Sequence, residues 1–335
     1  MADFFTLSDE ERLDVLRGAA VVSGRPVHLL EKDIWVVWVL NNLFTGRHAD
    51  HLVFKGGTSL SKAWGVITRF SEDVDITYDI RAIADDLVGA SGSAIPSTSS
   101  AARKWTDKIR HRLPGWIAAE IVPRLRTGLA AEAIPAAVSH ENDQVFIEYQ
   151  SMARGSDYVE PKVQLEFGAR STGEPAQVCA ITCDAAEYIP EVEFPTAEPR
   201  VMTAQRTFWE KATAIHAFCL QGRFRGRNGF ARHWHDVVRL DDAGIADLAI
   251  ADESLARAVA EHKAVFFREK ASDDTVVDYL AAVSGGLRLV PDLSGMATLR
   301  TDYQRMIEDD WFTDSAEAFD DLMKRCLEIE AKANR

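Results

Sequence analysis

Residues 51–78 hold a strand, a glycine turn, a short helix and a second strand bearing two acids, and that order leaves few folds open. His51 to Phe54 reads as a strand; Lys55 follows, and then Gly56-Gly57-Thr58-Ser59-Leu60-Ser61-Lys62. Glycine lets a ligand approach the backbone closely, and the N–H groups that open a helix attract phosphate. The hydroxyl residues predict a helix over Ser59 to Val66. Arg69-Phe70-Ser71-Glu72-Asp73-Val74-Asp75 then enters a strand, Asp73 to Tyr78. Residues i and i+2 of a strand share a face, roughly 6–7 Å apart, so Asp73 and Asp75 point the same way, and Ser71 with them. That spacing suits carboxylates holding one or two Mg²⁺, which take hard oxygen ligands and substrate phosphates. A polar strand edge facing water would carry the same acids; the glycine turn ahead of them favours a nucleotidyltransferase site.

The remaining pattern is α+β. Ser8 before Asp9-Glu10-Glu11 caps a helix over Leu7 to Leu16, and Leu29 to Phe44 has helical periodicity. Val88 to Ser100, rich in Gly, Ser and Ala, is expected as a loop, followed by a basic helix from Ala101 to Leu113. Val145 to Tyr149 and Lys162 to Phe167 alternate as paired strands, the second exposing Glu166 between apolar neighbours. Pro190 to Pro199 reads as a linker and sets the expected boundary between a catalytic lobe, residues 1–200, and a helical lobe, residues 201–335, that completes the cleft. Helices are expected there over Thr203 to Leu220, His233 to Asp242, Asp252 to Phe267, Asp273 to Leu280, Asp292 to Met306 and Asp314 to Asn334.

Composition narrows the setting. No apolar run approaches the ~18 residues of a membrane span, and the first residues lack the basic region and apolar core of a signal peptide, so no membrane partner and a cytoplasmic location are expected. Cys179, Cys183, Cys219 and Cys326 are too scattered for a disulfide framework and read as reduced thiols. A net charge of −14 argues against a nucleic-acid partner, but distribution weighs more than the total. Seven basic residues lie between Arg103 and Arg126, and seven between Arg206 and Arg239. Such islands suit RNA and equally suit solvated helix faces. Arg223, Arg225 and Arg227 sit in a glycine-containing segment, Gln221 to Gly229, that fits an RNA backbone, a triphosphate or a plain connector.

These motifs bear a family resemblance. FKGGTSLSKAW followed by RFSEDVDIT resembles the signature of the DNA polymerase β-like nucleotidyltransferases, and within them the AbiEii branch, the toxins of type IV toxin–antitoxin and abortive-infection pairs. Leu30-Glu31-Lys32-Asp33-Ile34-Trp35-Val36 is similar to that branch's N-terminal segment, Arg206-Thr207-Phe208-Trp209-Glu210-Lys211 to its Lys motif, and Arg232-His233-Trp234-His235-Asp236 to its last Asp motif. Asp302-Tyr303-Gln304-Arg305-Met306 is similar as well. The likeness runs from about residue 10 to about residue 330, with a gap over roughly 80–160.

The resemblance implies transfer of a nucleoside monophosphate from an NTP to an acceptor, with Mg²⁺ as cofactor and a separately encoded antitoxin as partner. Some relatives of this branch act on tRNA 3′ ends, which makes tRNA the expected acceptor and translation the expected target. Asp73 and Asp75 would hold metal; Gly56, Gly57, Thr58, Ser59 and Ser71 would cradle the triphosphate. The third metal carboxylate would be Glu166, with Glu148 as the substitute. Lys211 would reach a phosphate, and Asp236 would orient Lys211 or touch the nucleotide. The His233/His235 pair does not make a metal site, because i and i+2 on a helix do not face one another. Lys32 and Asp33 are explained by an amphipathic helix with an internal ion pair. Two other functions remain open: the same chemistry on a protein hydroxyl or small molecule, and an inert binding module that keeps the fold.

Overall fold

Alternating polar and apolar residues on adjacent strands build one wet and one dry face of a seven-stranded sheet. The structure, a computed structural model, describes residues 2–69, 73–89, 92–153, 160–222, 229–309, 311–312 and 316–335. The strands are β1 (Leu52–Lys55), β2 (Asp73–Tyr78), β3 (Ala136–Glu141), β4 (Gln144–Tyr149), β5 (Lys162–Gly168), β6 (Ala176–Val178) and β7 (Arg200–Met202), in the order β3-β4-β5-β2-β1-β7-β6. β2 runs parallel to β5 and antiparallel to β1; β7 runs parallel to β1. Val74, Ile76, Val163, Leu165, Val145 and Ile147 are fully buried. The opposite parity carries Lys55, Asp73, Asp75, Gln164, Glu166 and Gln144. The α+β class is therefore as the sequence reads.

Two units divide the chain. The first comprises residues 1–63, 71–94 and 107–202 and contains the sheet; the second comprises 64–70, 95–106 and 203–335. In the first, α1 (Asp9–Ser23) starts with a full capping box, Ser8 accepting from the Glu11 N–H and Glu11 returning to the Ser8 N–H. α2 (Val27–Phe44) packs on β5, and its Trp35 stacks on Tyr149 of β4 at 4.8 Å. α3 (Gly56–Lys62) joins β1 to β2. It opens at the glycines and closes at Lys62, earlier at both ends than the expected Ser59 to Val66.

A seven-residue helix is too short to hold itself, so α3 depends on tertiary anchors. The Thr58 hydroxyl donates to the Asp73 carbonyl, and Ser59 to the Gly56 carbonyl at 2.9 Å. At the far end Lys62 Nζ meets Asp33 Oδ1 at 2.6 Å and Asp184 Oδ1 at 2.8 Å. Asp33 Oδ2 accepts the Asp184 N–H at 2.6 Å, and Arg25 also pairs with Asp184. Burial lowers the Lys62 ammonium, but Asp33 and Asp184 outweigh it and leave Lys62 above its ordinary value. Asp33 thus serves α3, not the ion pair within its own helix that the sequence suggests.

The second unit is helical. α4 (Ala204–Gln221) and α5 (Arg232–Asp242) bury Trp209 and Trp234, whose indole N–H groups donate to the Ala249 and Leu289 carbonyls at 2.8 and 2.6 Å, as buried indoles require. Asp302 accepts the N–H groups of Gly229 and Ala231 at 2.8 and 2.7 Å and so sets the turn into α5. Helices also run over Glu253–Phe266, Leu293–Glu308 and Phe319–Ala333.

Two expectations are corrected. Asp273 to Leu280 is not a helix; only Tyr279–Ala281 is α-helical there. The Asp273 carboxylate takes the Thr275 N–H and hydroxyl at 3.0 and 2.6 Å, and Asp274 has φ of +67°, so a local turn wins over the helix. Pro190 to Pro199 is not a bare linker. Val192–Glu193 pairs with Ala2–Asp3, and Thr196–Ala197 with Ile181–Thr182. All four cysteines are free thiols, and among the described residues no helix is long and apolar enough to cross a membrane.

Lys62→Met leaves the Asp33 carboxylate buried without its cation, while the half-buried Asp184 keeps Arg25. It is expected to cost about 3–5 kcal/mol of stability by urea unfolding. Lys270→Ala, which breaks an exposed pair with Asp274, should leave the midpoint unchanged.

Candidate active site

The wet face of the sheet places two of the expected residues, Asp75 and Glu166, side by side in one row. Lys55 lies opposite Asp75 in β1/β2, Asp75 opposite Glu166 in β2/β5, and Glu166 opposite Gln144 in β5/β4. Asp73, opposite Gln164, shares this face one step along the strand. Glu166 accepts amide protons from Gln144 and Gln164 at 2.9 and 3.0 Å, which fix its carboxylate. Glu148 lies opposite Lys162, four residues farther down the strand pair, so the register puts Glu166 and not Glu148 beside Asp75.

Gly56 explains why the turn is built of glycine. Its φ is +80°, and a Cβ there would meet Asp75 Oδ2 at 2.0 Å, closer than any side chain allows. The Asp75 carboxylate therefore lies directly against the Gly56 backbone, with Lys55 Nζ 3.4 Å from its other oxygen. Gly57 falls in the first turn of α3. Thr58 and Ser59 are buried and their hydroxyls are engaged on backbone carbonyls, so what this turn offers a ligand is main-chain N–H. Ser71, Arg223, Arg225 and Arg227 lie outside the described residues.

The donors suit a hard divalent ion. Among the described residues no group of three or more His, Cys, Asp or Glu is placed to hold a metal ion. Mg²⁺ seldom uses one: it binds through one or two carboxylates and completes its shell with water and substrate phosphates. Asp73 and Asp75 fit that need.

The second unit holds a separate charged cluster. Asp236 is fully buried and takes a bidentate pair of bonds from Arg69, Nε to Oδ1 and Nη2 to Oδ2, both 2.7 Å. Lys211 Nζ meets Oδ2 at 2.8 Å, and His235 Nδ1 lies 3.4 Å from Oδ1. Burial pushes the Asp236 carboxyl up, but the Arg69 and Lys211 charges more than reverse it and hold it well below the ordinary carboxylate value. Burial lowers the Lys211 ammonium, opposed by Asp236 and reinforced by Arg69. Burial, then Lys211 and Arg232, keeps the His233 imidazole neutral well below its ordinary value. Arg69 and Lys211 thus meet on one buried carboxylate.

Arg69 was not singled out by sequence reasoning. Its signal was its place four residues before Asp73, inside the motif itself. Several basic residues of the two islands have partners within the fold, although Arg124 and Arg126 keep exposed side chains and only Arg206 and Lys211 are buried among those described. Lys108 and Arg112 pair with Asp86, Arg124 and Arg126 donate to the Asn42 and Val138 carbonyls, and Arg206 and Arg239 pair with Glu210 and Glu317. Arg103, Lys104 and Arg110 remain exposed on one helix, Ser99–Trp116. A cavity of about 360 Å³ between Leu43, Leu52, Ile121 and Pro123 contains none of the expected residues.

Residues 38–325 match the family described as nucleotidyl transferase AbiEii toxin, type IV TA system. Among solved structures, the chain is similar to MenT4, a nucleotidyltransferase toxin of Mycobacterium tuberculosis, at 18% identity over 98% of this chain and 100% of that one, with a TM-score of 0.39. It is also similar to JHP933 of Helicobacter pylori, at 15% identity over 92% and 93% of the two chains, with a TM-score of 0.42. No curated protein sequence matches.

Asp236→Asn removes the buried charge on which Arg69 and Lys211 meet and is expected to cost about 3–5 kcal/mol in urea unfolding. Lys211→Met keeps the bidentate Arg69 pair and should cost clearly less. Equal losses would show that the two cations do not depend on Asp236 in this way.

Proposed function

The chain belongs to the AbiEii nucleotidyltransferase toxin family, and on that premise we propose that it transfers a nucleoside monophosphate from an NTP, with Mg²⁺, to the 3′ end of a tRNA, so blocking translation. Membership makes it a nucleotidyltransferase and the toxin of a type IV toxin–antitoxin pair, which implies a separate antitoxin. The observation that carries the finer reading is the Asp73/Asp75 pair on one strand face, with Asp75 against the Gly56 backbone.

In this reading Asp73 and Asp75 hold the metal, with Glu166 as the third acid. Mg²⁺ bound there would supply charge neutralisation for the triphosphate and the leaving pyrophosphate. The N–H groups of Gly57, Thr58 and Ser59 and the bare Gly56 backbone receive phosphate oxygens. Glu166, its orientation set by Gln144 and Gln164, takes the proton of the attacking hydroxyl. Lys211 meets a phosphate as a point charge, and Asp236 holds Lys211 and Arg69 in place. Ser71 would line the same strand face. Most of the rate then comes from positioning and electrostatics, as in phosphoryl transfer generally.

Asp73→Ala and Asp75→Ala should each abolish label transfer from α-labelled NTPs to total RNA while leaving the unfolding curve near wild type. Wild-type transfer by either variant in Mg²⁺ would remove the pair from the site. Lys211→Ala should raise the KM for NTP, and Lys211→Arg should restore it only in part.

The acceptor is tested separately. Arg223, Arg225 and Arg227, with the exposed Arg103, Lys104 and Arg110, support RNA; the net charge of −14 favours a protein or small-molecule acceptor. Replacing Arg223, Arg225 and Arg227 by Ser should weaken RNA binding and flatten its salt dependence, each lost phosphate contact lowering the slope by roughly one. Unchanged RNA affinity, with label appearing on protein, would favour the other acceptor.

A further inference from the structure

The first turn of α5 is basic, at the end of a helix where acids are favoured. Arg232 opens the helix, His233 follows, and that turn holds no acid. Asp236 lies four residues after Arg232 and three after His233, so all three share one face of α5. On that face Lys211 Nζ meets Asp236 at 2.8 Å. Asp236 is engaged by Arg69 and Lys211, and among the described residues Arg232 makes no ion pair.

His233 points to a ligand independently. Its Nδ1 is buried and has no hydrogen-bond partner among the described residues, and a buried polar atom left so costs free energy. The ring packs edge to face against Phe230, at 5.2 Å. The turn ahead of it is fixed by Asp302, whose carboxylate takes the Gly229 and Ala231 N–H groups. Burial, then Lys211 and Arg232, lowers the imidazole and keeps it neutral, so one ring nitrogen carries a proton to donate. A metal ion at Nδ1 would meet the charges of Lys211 and Arg232. A phosphate oxygen would meet N–H donors instead, the guanidinium offering a planar fork of them.

We propose that Arg232 and His233, with Lys211, form a phosphate subsite of the second unit that takes the triphosphate of the NTP, Arg232 through its guanidinium and His233 through Nδ1–H. This rests on the nucleotidyltransferase reading above and adds two residues to it. The bound phosphate selects the Nδ1–H tautomer, since the hydrogen bond a ring nitrogen makes decides where the proton sits. Asp302 has the task of fixing the turn that carries both side chains.

The test is calorimetric titration of the full chain with inorganic tripolyphosphate in EDTA, a probe with the phosphate oxygens but no base, sugar or metal. Arg232→Met and His233→Leu should each bind it about tenfold more weakly than wild type, the order of one hydrogen bond to a charged group, with urea midpoints near wild type. Arg232→Lys, which keeps the charge without the fork, should bind at an intermediate level. His233→Asn, whose amide N–H stands near the place of Nδ1, should recover most of the affinity, and His233→Gln, whose amide reaches the place of Nε2, should not. A merely structural histidine would lower the urea midpoint and show no such difference between Asn and Gln. Wild-type affinity in both Arg232→Met and His233→Leu, with Lys211→Met weakened, overturns the roles of Arg232 and His233 and leaves that of Lys211 standing. Absence of tripolyphosphate binding by the wild-type chain overturns the subsite, while label transfer from α-labelled NTPs decides the nucleotidyltransferase reading by itself.

Discussion

The contact between the Asp75 carboxylate and the Gly56 backbone sets the wet face of the sheet. A carboxylate can lie flat on a main chain only where no Cβ intervenes, and a Cβ at Gly56 would stand 2.0 Å from Asp75 Oδ2. Because β1 and β2 are antiparallel neighbours with Lys55 opposite Asp75, the chain that leaves β1 must turn at once across the acid it has just paired with. The positive φ at Gly56 makes that turn and starts α3 in the same step. Thr58 then ties α3 back to the Asp73 carbonyl. Strand, turn and helix thus pack closely beside a single carboxylate.

The two charged clusters of the chain solve opposite problems. Around Lys62, two lysine and arginine cations face two carboxylates, all partly or wholly removed from water, and the result is a balanced tie that locates a helix too short to locate itself. Around Asp236, two cations face one buried carboxylate. That carboxylate fixes both cations at one place in the second unit.

Much of the candidate site was legible along the chain because its parts are close in sequence. Gly56, Gly57, Asp73 and Asp75 fall within one strand–helix–strand passage, where period-two alternation and glycine chemistry are local rules. Glu166 was legible only as an acid among apolar strand neighbours; its choice over Glu148 came from register, which depends on how β5 aligns with β2 and β4. Arg69 and Asp33 were harder. Each sits in a motif that was read, yet its partner lies 167 or 29 residues away, at Asp236 or Lys62. The helix expected at Asp273 to Leu280 failed for a local reason: an aspartate that bonds its own backbone neighbours competes directly with the helix.

By itself the sequence determined the α+β class, the strand–glycine–helix–strand order and the pair of acids on one face, since each follows from nearest-neighbour sterics and side-chain periodicity. It also carried the family likeness. The tertiary structure alone decided which charges meet. It paired Lys108 and Arg112 with Asp86, engaged the Thr58 and Ser59 hydroxyls on carbonyls, gave Asp33 to Lys62, and set Arg69 and Lys211 on one carboxylate. Those outcomes depend on distances between segments remote in the chain. Electrostatic pairing falls off with separation and is strengthened by burial, and composition encodes neither quantity.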